Sequence, residues 1–474
     1  MQQEAKLKKF LELTYDELEE LNLEARTITD PTKAEKEHTA TLNRENGIKA
    51  VTVCFSNIEG RLHMLDYDKK FFLKSLDNLT FDGSSIRGFS ELHESDLRLS
   101  IDWTSLTYLP SDVFGPGKVA VFANIADKDG KPYESDFRGR LQDYSRKTKT
   151  SKGLEGFMAP EIEGFVLDGI DAEQHYNRHK GFALMTTGGY YHTLPLDKLR
   201  TFIDTVADVL RSMGFQNEKD HPEVAPSQFE SNFSYTDVVR ACDQIVLYKL
   251  VCRQVAHSLG MTATFLPKPV QGLNGNGMHV NFSLAKNGKN AFYDKAGRDN
   301  LSKYGWEVIG KILNRATEIS LILNSSVNAY RRLDPNYEAP NQIKASAQDR
   351  GSMVRVPLGN ERSARIEIRS VSPDASPYLM MYTVMKIAIE DKVPANSTRR
   401  QRLKFLPGNV NDAIRQFRAS TFTTQVLGRS SKAKYLEYKV ASAHRNPKEL
   451  GDIIKESEIL YHHEVTNQHL WSIF

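Results

Sequence analysis

The segment Arg365-Ile366-Glu367-Ile368-Arg369 alternates charged and β-branched residues without a break. Side chains two apart share a face on a strand but not on a helix. The pattern predicts a strand with Ile366 and Ile368 on one face and Arg365, Glu367 and Arg369 on the other. Pro160-Glu161-Ile162-Glu163-Gly164-Phe165-Val166-Leu167 also reads as a strand and aims Glu161 and Glu163 to one side. Two carboxylates held side by side repel unless a cation lies near them. A chain carrying both segments needs a sheet with a charged face.

More acids lie between these strands, Glu223 and Glu230, and an imidazole, His279, ends the run Leu273-Asn274-Gly275-Asn276-Gly277-Met278-His279. Singly, each Glu is as readily a solvated surface residue and His279 a satisfied core histidine. In one order along one chain, Glu161, Glu163, Glu223, Glu230, Glu367 and His279 suit a hard divalent cation, Mg²⁺ or Mn²⁺. The glycines let backbone approach a ligand closely, or simply make a turn. No G-x-x-x-x-G-K-[ST] loop exists in the chain, and His462-His463-Glu464 is not a zinc motif because Asn467 stands where its second histidine belongs. Arg332, Arg350, Arg355 and Arg369 are suited to carboxylates or phosphates, with ordinary salt bridging as the bland reading. The tract Asn328–Pro340 reads as a loop that carries Arg332 and Glu338 over a site.

The remainder of the chain sets bounds on class. A net charge of +3 with no basic block argues against nucleic-acid binding. No apolar run reaches the roughly 18 residues of a spanning helix, so no membrane association is expected. The N-terminus lacks a secretory core, and three cysteines are too few for a disulfide framework. A cytoplasmic protein is expected. Residues 1–46 read as a helical extension and 47–130 as a small β-rich domain, beginning with the strand Ile48–Phe55. Residues 131–474 mix strands with helices at Leu196–Met213, Val238–Ser258, Trp306–Leu323 and Pro377–Ala388. The class is α+β.

These residues resemble the glutamine synthetase family, of the long bacterial and archaeal type. Phe81-Asp82-Gly83-Ser84-Ser85-Ile86 with Glu94-Ser95-Asp96 looks like its N-domain signature. Glu161-Ile162-Glu163 and Glu223-Val224-Ala225-Pro226-Ser227-Gln228-Phe229-Glu230 resemble its acidic motifs. Lys268-Pro269 through His279 is similar to its ATP-region motif, Asn328 through Pro340 to its glutamate flap, and Arg365–Arg369 with Pro377-Tyr378-Leu379 to its last catalytic strand.

The resemblance implies a β-grasp-like N-domain and a large catalytic α+β domain on a curved antiparallel sheet. It implies ligation of ammonium to the γ-carboxylate of glutamate at the expense of ATP, with two or more Mg²⁺ (or Mn²⁺) per site. Glu163, Glu223 and Glu230 would hold the metal on the substrate side, and Glu161, His279 and Glu367 the metal on the ATP phosphates. Asn274, Gly275, Arg332 and Arg369 would hold glutamate. Arg350 and Arg355 would meet the moving phosphoryl group. Ser283, Arg362 and Arg365 fall where the family contacts nucleotide. Asp82 would draw a proton from ammonium, and Glu338 would close the flap and share that task. A homo-oligomer of two hexameric rings, with Asp82 reaching the adjacent subunit's site, is also implied.

Departures concentrate near the nucleotide and the flap. Pro222 and Asn281 stand where histidines are common, Ala345 where tryptophan is usual, and Gln348 and Asp349 replace a basic residue and an asparagine. The Ala345 change suggests room for a larger acceptor, so a γ-glutamyl-amine or polyamine ligase is the alternative activity. A non-catalytic ring is a third reading, opposed by the retention of every metal ligand.

Overall fold

A computed structural model describes residues 9–86, 90, 96–172, 175, 182–270, 272–333, 339–393 and 403–444. The chain divides into two compact units, the first formed by residues 1–57, 62–139 and 204–217 and the second by the rest.

In the first unit, β1 (Ala50–Ser56), β2 (Leu62–Asp68), β3 (Thr80–Asp82), β4 (Asp96–Tyr108) and β5 (Lys118–Ala126) form a sheet in the order β2-β1-β5-β4-β3. β1 and β5 run parallel and the other neighbours antiparallel. Helices α1 (Tyr15–Arg26) and α2 (Pro31–Arg44) pack on it. The first is opened by a capping box of Thr14 and Glu17, the second by Asp30 with Pro31 in its first turn. Their residues Leu18, Ala25, Ala34 and Leu42 share one core with Val51, Val53, Leu97, Trp103 and Val121. Residues 15–44, read from the sequence as an extension, share one core with the strands of this unit.

The second unit is built on a sheet of ten strands among the described residues, with the central order β13-β14-β15-β11-β6-β8-β7. Its strands are β6 (Leu154–Asp168), β7 (Asn217–Pro222), β8 (Gln228–Phe233), β9 (Thr236–Asp237), β10 (Met261–Thr264), β11 (Met278–Lys286), β12 (Lys289–Asn290), β13 (Gln342–Ser346), β14 (Ser352–Arg355) and β15 (Ile366–Ile368). From β14 through β15, β11 and β6 to β8 every neighbour is antiparallel, and β13 joins β14 in parallel. Among the helices of the described residues that back the unit, three have spans expected from the sequence. They are α3 (Val238–Ser258), α4 (Lys303–Leu323) and α6 (Pro377–Glu390), N-capped by the side chains of Asp237, Ser302 and Ser376. The predicted spans agree with all three.

One element differs from expectation. Residues 327–332 form a short helix, α5 (Val327–Arg332), where a loop is predicted. Ser326 Oγ accepts the Ala329 N–H at 3.1 Å, and Asn328 exchanges two hydrogen bonds, 2.7 and 2.9 Å, with the Lys268 backbone. The local Ser326 cap and the distant Lys268 backbone together hold the turn. Residues 334–338, Glu338 among them, lie outside the described residues, as do Glu94 and Ser95 of the N-domain motif.

Candidate active site

Strand register does most of the assembly. Glu161 on β6 stands opposite His279 on β11, and Glu163 stands opposite Glu230 on β8. Glu367 on β15 stands opposite Arg355 on β14 and Asn281 on β11. Directly opposed residues of an antiparallel pair lie on the same face with Cβ atoms about 5 Å apart. Strands remote in sequence therefore project their acids into one cavity of about 250 Å³.

Glu161, His279 and Glu367 form the tightest donor group. One ligand atom from each lies within 4.8 Å of the others. His279 Nδ1 is 3.4 Å from Glu161 and 3.7 Å from Glu367. Burial pushes Glu161 upward, but His279, the Asn281 amide (3.0 Å) and the Arg355 charge more than offset it and hold its pKa at about 2. Glu367 is almost fully buried and paired with Arg355.

Glu163, Glu223 and Glu230 line the same cavity. Glu163 is fixed by the Gly277 N–H (2.7 Å) and the Gln228 amide (3.4 Å). Glu223 and Glu230 flank His221, 3.6 and 3.7 Å away. Burial and then the charges of Glu163, Glu161 and Glu223 push Glu230 well above the usual carboxylate range. A carboxylate set directly across from another destabilises a sheet. The donor set, oxygens with one imidazole, fits hard divalent cations, and a cation is what would relieve this crowding.

The Gly-rich run brings backbone to the same place. The fully buried Asn276 is tied to Pro267 and Leu266 at 2.7 and 2.8 Å. A Cβ on Gly275 would lie 2.5 Å from the Pro267 carbonyl and 2.9 Å from Arg332 Cγ, so a glycine is required for this close approach. Arg332 is buried, which lowers its pKa to about 10. Its two terminal nitrogens donate to the Arg369 and Val371 carbonyls, each at 3.1 Å. Asn274, Gly275, Arg332, Arg350, Arg355 and Arg369 all line the cavity beside the acids.

Three other expected residues, Ser283, Arg362 and Arg365, are not among the residues lining the cavity. Ser283 faces Phe157 in the β11–β6 register, and Arg362 is exposed in a turn. Arg365 donates to Asn281 at 2.8 Å, and Asn281 in turn binds Glu161, so Arg365 is one residue removed from the acids. Asp82 belongs to the first unit, where it accepts from the Ser84 and Ser85 hydroxyls and N–H groups. Those hydroxyls hold its pKa below the ordinary value. Glu338 lies outside the described residues. Ala345 and Asp349 are not among the cavity-lining residues, and Asp349 is turned toward Lys344.

Tyr190, Tyr191, Lys219, His221 and Gln228 line the cavity without having been anticipated as site residues. Gln228 was within reach, since it shares a strand face with Glu230. The tyrosines, stacked at 3.7 Å beside His221, come from a loop with no chemical signature.

A family model described as "Glutamine synthetase, catalytic domain" matches residues 134–453, and one described as "Glutamine synthetase, beta-Grasp domain" matches 47–128. The chain is 33% identical to the glutamine synthetase of Thermotoga maritima over 432 residues, 88% of this chain and 96% of the relative. It is 33% identical to that of Methanosarcina mazei over 410 residues, 83% of this chain and 90% of the relative. A cryoEM structure of Plasmodium falciparum glutamine synthetase superposes with a TM-score of 0.77 at 20% identity, covering 86% of this chain and 95% of that one. GmaS in complex with ADP gives 0.73 at 23%, covering 85% and 95%. These two likenesses establish the fold.

Proposed function

The chain belongs to the glutamine synthetase family, and from that premise we propose how its own residues carry out ATP-dependent synthesis of glutamine from glutamate and ammonia. The observation that carries the reading is the register-locked set of acids beside Arg332 and Arg369 in one cavity.

Glu163, Glu223 and Glu230 would hold one Mg²⁺ or Mn²⁺, and Glu161, His279 and Glu367 a second. Such cations supply charge neutralisation at the phosphates and at the transferring group. Arg332 and Arg369, with Asn274 and the Gly275 backbone, bind glutamate. Its γ-carboxylate oxygen attacks the γ-phosphorus of ATP, ADP leaves, and an acyl phosphate forms. Arg350 and Arg355 spread the charge of the moving phosphoryl group. Ammonia then attacks the acyl carbon, phosphate leaves with the bonding electrons, and the extra proton passes to a carboxylate, assigned to Asp82 or Glu338. Ser283, Arg362 and Arg365 are assigned to the nucleotide, Arg365 through Asn281. Exclusion of water from the site would protect the acyl phosphate from hydrolysis.

The wider reading divides the chain into a helical extension (1–46), whose α1 and α2 pack on the β-grasp domain (47–130), and a catalytic domain (131–474). It assembles a cytoplasmic dodecamer of two hexameric rings, with Asp82 supplied to the neighbouring subunit's site. Among the described residues no helix is long and apolar enough to cross a membrane. The deciding experiment is product formation from ATP and glutamate with Mg²⁺, comparing ammonium with a panel of amines. Highest kcat/KM for ammonium is expected. A clear win by an amine would replace the acceptor assignment.

A further inference from the structure

The segment Arg369–Ser376 is tethered along its whole length. Its carbonyls at 369 and 371 receive Arg332, and the Val371 carbonyl also receives the Met278 N–H at 2.9 Å. The Ser372 N–H donates to Leu323 at 2.9 Å, and the Asp374 carbonyl accepts from Ser325 at 2.8 Å. Between these, the Pro373 carbonyl accepts from the ammonium of Lys249, which reaches it from α3. Lys249 is not among the residues lining the cavity, yet in its protonated form it brings a charged donor to this loop. Hydrogen bonds from charged donors are roughly twice as strong as neutral ones.

We propose that Lys249 is a positioning residue for glutamate: by holding Pro373 it fixes the Arg369–Val371 backbone that aims Arg332 into the cavity. This rests on the reading that Arg332 and Arg369 bind glutamate. Two of the five guanidinium N–H donors of Arg332 are spent on that backbone, so the direction of the others follows from where the two carbonyls sit. Misplacement of a binding group by about 1 Å costs on the order of a hundredfold in rate.

The contact also has a titration. The ionisable groups facing Lys249 are Arg253, one turn along α3, and Asp374 in the loop, while its Nζ lies 6.0 Å from the Phe265 ring centroid. Burial pushes the Lys249 amine down to about 7, with Arg253 adding to the fall and Asp374 opposing it. The tether is therefore charged below neutrality and weakens as the proton is lost above it.

Steady-state KM values for glutamate and MgATP, measured on the wild type, K249M and K249R from about pH 6 to about pH 8, test this. K249M should raise the glutamate KM about tenfold while leaving that for MgATP within about twofold. The wild-type glutamate KM should rise as pH passes about 7, and K249R, whose guanidinium stays charged, should lose that rise. An unchanged glutamate KM in K249M overturns the proposal. So does an equal increase in both KM values, which signals general loosening, or a K249R profile that keeps the wild-type rise. A wild type that turns over no ATP with glutamate and ammonium would sink the synthetase reading separately. In that case calorimetric glutamate affinity decides: equal affinity for K249M and wild type overturns the role of Lys249, and a tenfold loss upholds it.

Discussion

Glu230 and Glu163 face each other across one pair of strands, an arrangement that apolar packing would never select. Replacing Glu230 by Gln keeps the shape and removes one of the opposed charges. E230Q should lose at least about a hundredfold in kcat/KM. In the presence of a chelator it should melt above the wild type, because the repulsion is relieved. A metal-free melting temperature below that of the wild type would show that Glu230 is structural instead. Gly275 is constrained by space. G275A should raise the glutamate KM at least about tenfold by displacing Arg332, with a stability loss of about 1–3 kcal/mol from overpacking. Kinetics and a urea titration read the two effects separately.

At the scale of elements, periodicity was a good guide wherever an element is held by its own apolar face. The span of α4 could be read because Val308, Ile309, Ile312, Ala316 and Ile319 recur every three or four residues, and those of α3 and α6 because long apolar stretches are buried almost continuously over Val238–Tyr248 and Pro377–Met385. The acids on β6 and β15 were legible for the matching reason, since alternation puts Glu161 with Glu163 and Glu367 with Arg365 and Arg369, whereas Glu230 on β8 was singled out with no strand assigned to it. What alternation does not contain is which strand lies beside which. The opposition of Glu161 to His279 is a register, set by the whole sheet. α5 departs from the loop expected of its sequence because Asn328 is ordered by Lys268, sixty positions away along the chain. Ala345 was weighted by its identity alone, and the cavity is not lined by it.

Asp136, in the first unit, carries the prediction at this scale. It is buried, accepts the Ile125 N–H at 2.8 Å, and burial raises its pKa to about 6 against the N–H groups of Ile125 and Gly139 and the charge of Arg138. A folded-state pKa above the unfolded value means that the contribution is fully present below about pH 4 and lost as pH rises through about 6. Over that window the wild type should lose on the order of 2–3 kcal/mol relative to D136N, whose side chain does not ionise. Urea unfolding at several pH values measures this, and parallel pH profiles for the two proteins would refute it.

For the whole molecule, ligands bound only by the folded state add to its stability by mass action. Chelation of divalent metal should abolish activity and lower the melting temperature by several degrees, and Mg²⁺ should restore both. Activity that survives exhaustive chelation would contradict the assignment of the six ligands. Native mass measurement tests the dodecamer, with a monomer as the opposing outcome.

The residues that meet in the cavity span positions 161 to 369, and they converge through the pairing of β8, β6, β11, β15 and β14. A slip of one residue at any of these pairings would turn the acids of that strand to the opposite face. No partly assembled form of the sheet can present the full set of acids. Catalysis thereby acts as a proof-reader of folding, in that a chain able to consume ATP is one in which every central strand has found its place.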